Sequence, residues 1–232
     1  MPIFELTKEI IFPDPELADN SGIIAVGGDL TPRRLLQAYR SGIFPWFNEA
    51  DPRVWWSPDP RMVLYPAEVK ISHSMKKVLK DKVFSVTFDN DFEAVIHFCK
   101  TQPRQGQKGT WITKEMMEAY EKLNEMGYAH SVEVWKNDKL AGGLYGVSIG
   151  AMFAGESMFS KENNASKAGF ITLAKTLEKL HFRMVDCQIY TAHLSSMGAR
   201  EISRKKYLRE LALCLEKPTV KGNWGKMQEF EV

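Results

Sequence analysis

The sequence predicts an α+β fold, and three observations in its second half lead to that prediction. Alternating apolar residues predict three consecutive strands, namely His130–Trp135, Leu140–Ile149 and Met152–Met158. A helix is predicted next, from about Ala165 to His181, and then a further strand from Met184 to Tyr190. Antiparallel strands in succession, followed by a helix and another strand, are typical of α+β domains.

The helix prediction depends on the spacing of its apolar residues. Four of them fall at positions i, i+3, i+4 and i+7 and therefore share one face: Phe170, Leu173, Ala174 and Leu177. The other predicted elements are helices over 72–81, 91–99 and 114–126, a strand over 84–88, and a last helix that begins after Ser203. This order resembles that of GCN5-related N-acyltransferase (GNAT) domains.

The first 62 residues differ in composition from the rest and predict a small, irregular N-terminal domain. They are rich in proline, glycine and tryptophan, and prolines at this density interrupt both helices and strands. One helix is indicated, with Thr31 as its N-cap, Pro32 in its first turn and Gly42 after its end. We therefore expect two domains, one over residues 1–62 and a GNAT-like one over residues 63–232.

The composition excludes several classes of protein. A hydrophobic fraction of 44% and a charged fraction of 26% are ordinary for a folded chain, and no apolar run is long enough to span a bilayer. The first residues do not resemble a secretory signal, so we expect a cytoplasmic protein without membrane contact. Cys99, Cys187 and Cys214 lack metal-binding spacing, so we expect neither a disulfide framework nor a metal site.

The strand Met184–Tyr190 carries the residues with the clearest chemical potential. Strict alternation places Asp186, Gln188 and Tyr190 on one face, while the apolar residues between them face the core. Burying three polar groups costs free energy unless they are paired. The alternative is a polar face exposed to solvent.

Glu156 lies within the preceding predicted strand, next to Gly155. A glycine inside a strand often marks a β-bulge, which would leave the direction of the Glu156 side chain open. A lone glutamate in a strand is usually structural, but it gains chemical interest if Asp186 and Gln188 lie on the adjacent strand. Together these groups suit the aminolysis of an activated ester, which requires alignment and a route for the amine's proton.

Ten segments, in order and at natural spacing, together resemble the leucyl/phenylalanyl-tRNA–protein transferase family over nearly the whole chain. They are GIIAVGGDL (22–30), GIFPWF (42–47), WWSPDPR (55–61), GTWIT (109–113), HSVEVW (130–135), GGLYGV (142–147), GESMFS (155–160), NASK (164–167), DCQ (186–188) and GAREISR (198–204). The resemblance implies transfer of Leu, Phe or Met from aminoacyl-tRNA to proteins whose N-terminal residue is Arg or Lys. It also implies N-end rule degradation of the product, a GNAT fold, and no metal or organic cofactor.

The resemblance also implies roles for individual side chains. Gln188 would contact the attacking α-amine, Asp186 would support it and help to pass the proton, and Glu156 would position the substrates. Trp46 and Trp111 would bracket the terminal adenosine of the tRNA, since stacking a base on an aromatic ring is worth about 1–3 kcal/mol.

The transferred amino acid needs an apolar pocket, and the resemblance implies which residues line it. They are Leu144, Phe153, Gly155, Ser157, Phe170, Leu173, Leu177 and Val185. Some relatives carry phenylalanine where this chain has Leu173, so we expect a bias among Leu, Met and Phe. A complete switch is not expected, because one methylene is worth only about 1–3 kcal/mol in such pockets.

A local excess of basic residues near the last helix indicates phosphate binding at a confined place, or else a solvated helix start. The candidates, with two lysines of the short helix, are Arg200, Arg204, Lys205, Lys206, Lys76 and Lys77. Such contacts with the tRNA acceptor stem would be largely blind to sequence. We expect the protein to act as a monomer.

Two other functions remain open at this stage. The first is a CoA-dependent N-acyltransferase, but residues 160–167 contain no glycine where CoA-binding GNAT domains have their pyrophosphate loop. The second is a non-catalytic RNA-binding module, in which Asp186 and Gln188 would be dispensable. The five histidines share no catalytic spacing, and no Ser/His/Asp triad or P-loop is evident.

Overall fold

A small four-stranded sheet forms the first part of the chain, in a computed structural model that describes residues 3–102 and 110–230. Its strands are β1 (Phe4–Leu6), β2 (Ile23–Gly27), β3 (Phe44–Pro45) and β4 (Val54–Trp56), in the order β1-β2-β4-β3. Helix α1 (Pro32–Arg40) lies between β2 and β3 in sequence and has the predicted Thr31 cap. This part is more regular than its prolines predict, because the strands are short and Pro45 lies on an edge strand.

A seven-stranded mixed sheet forms the centre of the rest of the chain. Its strands are β5 (Arg61–Leu64), β6 (Ser85–Phe88), β7 (Ala129–Lys136), β8 (Lys139–Ile149), β9 (Met152–Ser160), β10 (Met184–Gln188) and β11 (Arg200–Ile202). They lie in the order β11-β5-β10-β9-β8-β7-β6. The predicted meander β7-β8-β9 is antiparallel, and β10 runs parallel to β9 and antiparallel to β5. The α+β class and the predicted order of elements are confirmed.

Helices cover both faces of the larger sheet. They are α2 (His73–Lys80), α3 (Phe92–Thr101), α4 (Lys114–Glu125), α5 (Ala165–Lys179), α6 (Ala192–Ser196) and α7 (Arg204–Leu215). Apolar residues of α1, α3, α4 and α7 form one buried cluster, and those of α2 and α5 form the other. The predicted apolar face of α5 is fully buried. This helix ends earlier than predicted, because His181 takes a left-handed conformation (φ 59°) just after its end.

Strand β5 connects the two parts of the molecule. The predicted boundary between residues 62 and 63 falls inside this strand, which lies in the larger sheet between β11 and β10. Apolar residues of the first part, such as Leu35 and Trp55, belong to the same buried cluster as Val147 and Met184 of the larger sheet. The two parts therefore share a core, and the exact domain boundary stays a prediction.

The segment after α7 returns along the sheet and is anchored by Trp224. This ring is fully buried and stacks on His130, with ring centroids 3.7 Å apart, and on Phe230, at 4.2 Å. The backbone N–H of Trp224 donates to Asp89 at 2.8 Å. Trp224 therefore fastens the end of the described chain to the second buried cluster.

We expect Trp224→Ala to lower the free energy of unfolding by about 3–5 kcal/mol, because a large buried ring is replaced by a cavity. Urea denaturation followed by circular dichroism measures this loss. The exposed neighbour Lys226 provides the control, since Lys226→Ala should stay within about 0.5 kcal/mol of the wild type. An equal effect of both substitutions would contradict this account.

Candidate active site

The candidate site lies where strands β9 and β10 separate. The two strands pair from Met152 and Met184 as far as Ala154 and Asp186, and no further. Each then contains a β-bulge. Glu156 is the extra residue of β9 against β8, and Cys187 is the extra residue of β10 against β5. The bulges bend both strands directly after their last paired residues, and a gap opens there between the two buried clusters.

A cavity of about 330 Å³ fills this gap. Strands β8, β9 and β10 and helix α5 contribute Leu144, Tyr145, Phe153, Gly155, Glu156, Ser157, Met158, Phe170, Leu173, Val185, Cys187 and Gln188. The first part of the chain, the segment before α4, the segment after β10 and helix α6 complete it with Phe44, Pro45, Trp46, Trp111, Ile189, Thr191, His193 and Leu194. Most of these side chains are apolar, while Glu156 and Gln188 place a polar pair at one point of the wall.

The cavity brings together most of the site residues predicted from the sequence. Two of the predicted catalytic and substrate-binding residues do not line it. Leu177 is fully buried in the core of α5, two turns beyond Phe170, and Asp186 is fully buried behind the strand. Trp46 and Trp111 are half-buried at the cavity, and their stacking on adenosine stays a prediction. Gly109, of the same motif as Trp111, lies outside the described residues.

Glu156 is held in the cavity wall by neutral hydrogen-bond donors. The Tyr120 hydroxyl donates to Oε2 at 2.9 Å, and the Gln188 amide Nε2 donates to Oε1 at 2.8 Å. The hydroxyls of Tyr39 and Tyr120 lie 2.5 Å apart, so the chain of hydrogen bonds extends from α4 to α1. Glu156 is 9% exposed and forms no ion pair with another of the residues that the structure describes.

The surroundings of Glu156 favour its protonated form. Burial raises the pKa of Glu156 from its usual 4.5 to about 7, the hydrogen bonds from the tyrosines oppose that rise, and the nearby Asp186 charge adds to it. Near neutral pH this carboxyl group can therefore both bind and release a proton. That property suits a group that handles the proton of an amine.

Asp186 has very different partners. Its Oδ1 accepts from Arg61 Nε (2.9 Å) and from the Gln188 backbone N–H (2.9 Å), and its Oδ2 accepts from Arg61 Nη2 (2.7 Å) and the Tyr207 hydroxyl (2.8 Å). These four donors occupy the acceptor positions of the carboxylate. Asp186 is therefore suited to hold the end of β10 in place, and not to contact a substrate.

The strict alternation predicted for β10 is wrong at its end. The bulge at Cys187 and the left-handed conformation of Gln188 (φ 64°) turn the Gln188 side chain to the cavity, on the same side as Val185. Asp186 points to the other side of the sheet, and Tyr190 is exposed beyond the strand end. A non-glycine residue with this backbone conformation costs about 1–3 kcal/mol, and such residues cluster at functional sites.

The predicted phosphate-binding residues fall into two groups. Arg204 donates to the Ser57 carbonyl oxygen at 2.6 Å, and Arg200 pairs with Glu68, so both guanidinium groups already have partners within the chain. The other four candidates are exposed and form no ion pair with a described residue: Lys76, Lys77, Lys205 and Lys206. Only these four keep their charge available for a partner.

Four buried polar side chains of the site were missed by the sequence analysis: Tyr39, Arg61, Tyr120 and Tyr207. Each of them contacts a predicted carboxylate or its partner from a distant element. The role of Arg61 could have been predicted, because this residue ends the Trp55–Arg61 motif and a buried arginine inside a strand needs an anion as its partner. The tyrosines carry no such signal, since single aromatic residues on helices usually belong to the core.

The described residues contain no group of His, Cys, Asp or Glu side chains that could hold a metal ion. In the same residues, no helix is both long and apolar enough to cross a membrane.

Comparison with known proteins identifies the family. Residues 63–212 match the family model described as leucyl/phenylalanyl-tRNA protein transferase, and residues 28–59 match the model of its N-terminal domain. The chain belongs to this family. A leucyl/phenylalanyl-tRNA–protein transferase from Syntrophus aciditrophicus is 54% identical over 229 residues, 99% of this chain and 96% of the relative. One from Myxococcus xanthus is 50% identical and covers 97% of each chain.

One of the solved structures similar to this chain is a GCN5-related N-acetyltransferase from Anabaena variabilis. It is 12% identical, with a TM-score of 0.44, and the match covers 78% of this chain and 44% of that one.

We expect the effect of Glu156→Gln on stability to depend on pH. The pKa of Glu156 rises from its usual 4.5 to about 7 on folding. The stability that the protonated side chain contributes is therefore fully present below pH 4.5 and is lost as the pH rises through 7. The free energy of unfolding of the wild type falls by about 3 kcal/mol over this range, whereas glutamine does not ionise and avoids that fall. Urea denaturation at pH 5 and pH 8 should therefore show a relative gain for the variant at pH 8. The exposed Glu118→Gln serves as the control, and parallel behaviour of both variants would contradict this prediction.

Proposed function

We propose that this protein transfers Leu, Phe or Met from aminoacyl-tRNA to the α-amino group of proteins whose N-terminal residue is Arg or Lys. The observation that carries the proposal is the pairing of Glu156 with Gln188 at 2.8 Å in the wall of a mostly apolar cavity. An apolar cavity suits the aminoacyl side chain, and a polar pair at one point of its wall suits the reacting amine. The family membership of the chain supports the same reaction.

The donor is proposed to enter with its aminoacyl side chain between α5 and the strands. Phe170 and Leu173 of α5 line this space together with Phe153 and Val185 of the strands. An unbranched or γ-branched apolar side chain fits such a pocket through contact alone, which explains a preference without a charged recognition group. Trp46 and Trp111 at the cavity are proposed to stack on the terminal adenosine.

The acceptor amine is proposed to bind against the Glu156 and Gln188 pair. The ionised Glu156 attracts the α-ammonium group and takes one proton, which leaves the nitrogen lone pair free. That lone pair attacks the ester carbonyl carbon, a C–N bond forms, and the bond from carbon to the ribose oxygen breaks. The second proton of the nitrogen passes to this ribose oxygen, so that a peptide bond and an uncharged tRNA result. Gln188 orients the amine, and Asp186 acts through Gln188.

The tRNA body is proposed to contact the start of α7. Ile202 of β11 lies opposite Arg61 and Gln188 of β10 lies opposite Met62, so β11 and β10 end on the same side of the sheet. Lys205 and Lys206 follow directly and are exposed there. We include Lys76 and Lys77 as further phosphate contacts. Arg200 and Arg204 also stay in the proposed set of phosphate contacts, although each of them binds another part of the chain as well.

The wider setting is part of the same proposal. We include a monomer as the active form in this proposal. Charged tRNA is available in the cytoplasm, so we propose that location. The products, which begin with the transferred residue, would be marked for degradation by the N-end rule pathway, and no metal or organic cofactor takes part.

A CoA thioester as the donor is the competing hypothesis, and the loop before α5 speaks against it. The backbone N–H of Ser166 donates to Ser160 Oγ at 3.3 Å, and that of Ala165 donates to the Glu162 carbonyl oxygen at 3.1 Å. Two amides at the helix start are thus already bonded within the chain. A pyrophosphate-binding loop needs such amides free.

The direct test mixes the protein with labelled leucyl-tRNA and a peptide that begins with Arg. We expect label on the peptide's α-nitrogen, and we expect Gln188→Ala to lower the single-turnover rate roughly 100-fold or more, since misplacing a reactant has effects of that size. Thr172→Ala, a substitution on α5 outside the cavity, is the control. Absence of transfer by the folded wild type would refute the proposed reaction. A full rate in Gln188→Ala would refute only the role of this residue.

A second test concerns the tRNA body. The double variant Lys205→Ala, Lys206→Ala should raise the KM for leucyl-tRNA and reduce the slope of log KM against log salt by about 1–2, since each phosphate contact contributes about 0.7–0.9. The KM for leucyl-adenosine should not change. The control pair is Lys217→Ala, Lys221→Ala, beside Thr219, which binds the Gly150 turn at the opposite end of the sheet. Equal salt slopes in both pairs would exclude this surface.

A further inference from the structure

Arg61 makes more contacts with the site than any role as an ion-pair partner requires. Besides its two hydrogen bonds to Asp186, its Nη1 donates to the Gly42 carbonyl oxygen at 3.2 Å. Its guanidinium group lies between two aromatic rings, 4.7 Å from the centre of Phe44 and 4.5 Å from that of Tyr207. The side chain is 1% exposed, so every part of it is engaged by protein.

These contacts join two walls of the cavity that belong to different sheets. Phe44 and Pro45 line the cavity from the small sheet, and Trp46 follows them directly. Gln188 lines it from β10, and its backbone N–H donates to the same Asp186 oxygen that accepts from Arg61 Nε. One planar group thus fixes the distance between the Phe44 wall and the Gln188 strand end. Bidentate geometry and stacking on aromatic rings are properties of arginine that lysine lacks.

We propose that Arg61 is a positioning residue for the transfer reaction, which holds the Phe44 wall of the donor cavity against the strand end that carries Gln188. The inference rests on the proposed function, because it takes Gln188 and the cavity as the places where amine and donor meet. Arg61 touches neither substrate and acts through Phe44, Gly42 and Asp186.

The charge of Arg61 has a second effect, on Glu156. Among the described residues, Glu156 interacts with Tyr39 from α1, Arg61 from β5, Tyr120 from α4 and Asp186 from β10, and Tyr145, Cys187 and His193 line the same cavity. Asp186 is the only other carboxylate in this set, and Arg61 is its permanent cation, since burial lowers the pKa of His193. The Asp186 charge favours protonated Glu156, and Arg61 neutralises that charge. Without Arg61, the pKa of Glu156 rises and the ionised form is reached only at higher pH.

A purely structural role for Arg61 is the competing explanation, and the chain offers a matched comparison. Arg34 is also fully buried in the first part of the chain, where it donates to the carbonyl oxygens of Thr7 and Glu9. Its partners lie outside the cavity lining. Loss of either arginine removes a buried cation and its hydrogen bonds, but only loss of Arg61 alters the site.

The experiment measures leucyl transfer from leucyl-adenosine to an Arg-peptide across pH, with unfolding curves for Arg61→Met, Arg61→Lys and Arg34→Met. We expect Arg61→Met to raise the KM for leucyl-adenosine roughly tenfold or more. We also expect it to move the acid limb of the rate profile up by roughly one pH unit. Arg61→Lys should raise the KM and leave the acid limb in place, because the charge remains. Arg34→Met should be less stable, with both quantities unchanged.

A non-reactive 3′-leucylamido-adenosine reports on the cavity wall without any turnover, because its binding can be measured by calorimetry. Its affinity should fall in both Arg61 variants by the same factor by which the KM for leucyl-adenosine rises. If Arg61→Met does not fold, the pair Arg61→Met, Asp186→Asn removes both charges, and it should keep the raised KM with an acid limb no higher than that of the wild type. Unchanged KM and binding in the folded Arg61 variants, or an acid limb of Arg61→Met that stays at the wild-type pH, overturns the inference. No transfer by the wild type refutes the proposed function alone.

Discussion

Two carboxyl groups are buried where strands β9 and β10 separate, and the rest of the site depends on this constraint. An ionised carboxylate in a protein interior costs several kcal/mol unless partners compensate for lost water. Asp186 and Glu156 are both nearly inaccessible, yet β9 and β10 themselves supply only Gln188 as a donor. The remaining partners must come from other elements. Tyr39 comes from α1 in the first part of the chain, and Arg61 comes from β5 and also contacts Phe44 of the small sheet, so the first part of the chain helps to complete the site.

The two carboxyl groups are compensated in different ways, and this gives them different chemistry. Asp186 pairs with a cation that also has two ring faces around it. Burial lowers the pKa of Arg61, but Asp186 more than offsets that, so the guanidinium group stays charged. Glu156 receives only neutral donors, and its pKa near 7 leaves it free to change protonation state. One group is fixed as structure, and the other stays available to an amine.

The paired bulges explain where the sequence-based account succeeded and where it failed. Periodicity of two and of 3.6 predicted the meander, helix α5 and strand β10 with ends within a few residues, and the apolar face of α5 supplied the cavity wall at Phe170 and Leu173. The same periodicity misplaced Gln188, because one extra residue at Cys187 reverses the facing that alternation assigns. Gly155 gave warning of the bulge in β9, whereas nothing near Cys187 marks the bulge in β10.

The sequence by itself determined the α+β class, the order of elements, the helix cap at Thr31, and the motifs that identify the family. These properties are encoded locally, by spacing and by side chains a few residues apart. Only the tertiary structure decided that Glu156 faces the cavity and that Asp186 does not. It also decided that Arg61, 125 residues before Asp186 in the chain, neutralises that carboxylate. Such pairings depend on how the two sheets pack around one core, and no local pattern of residues predicts contacts between residues so far apart in the chain.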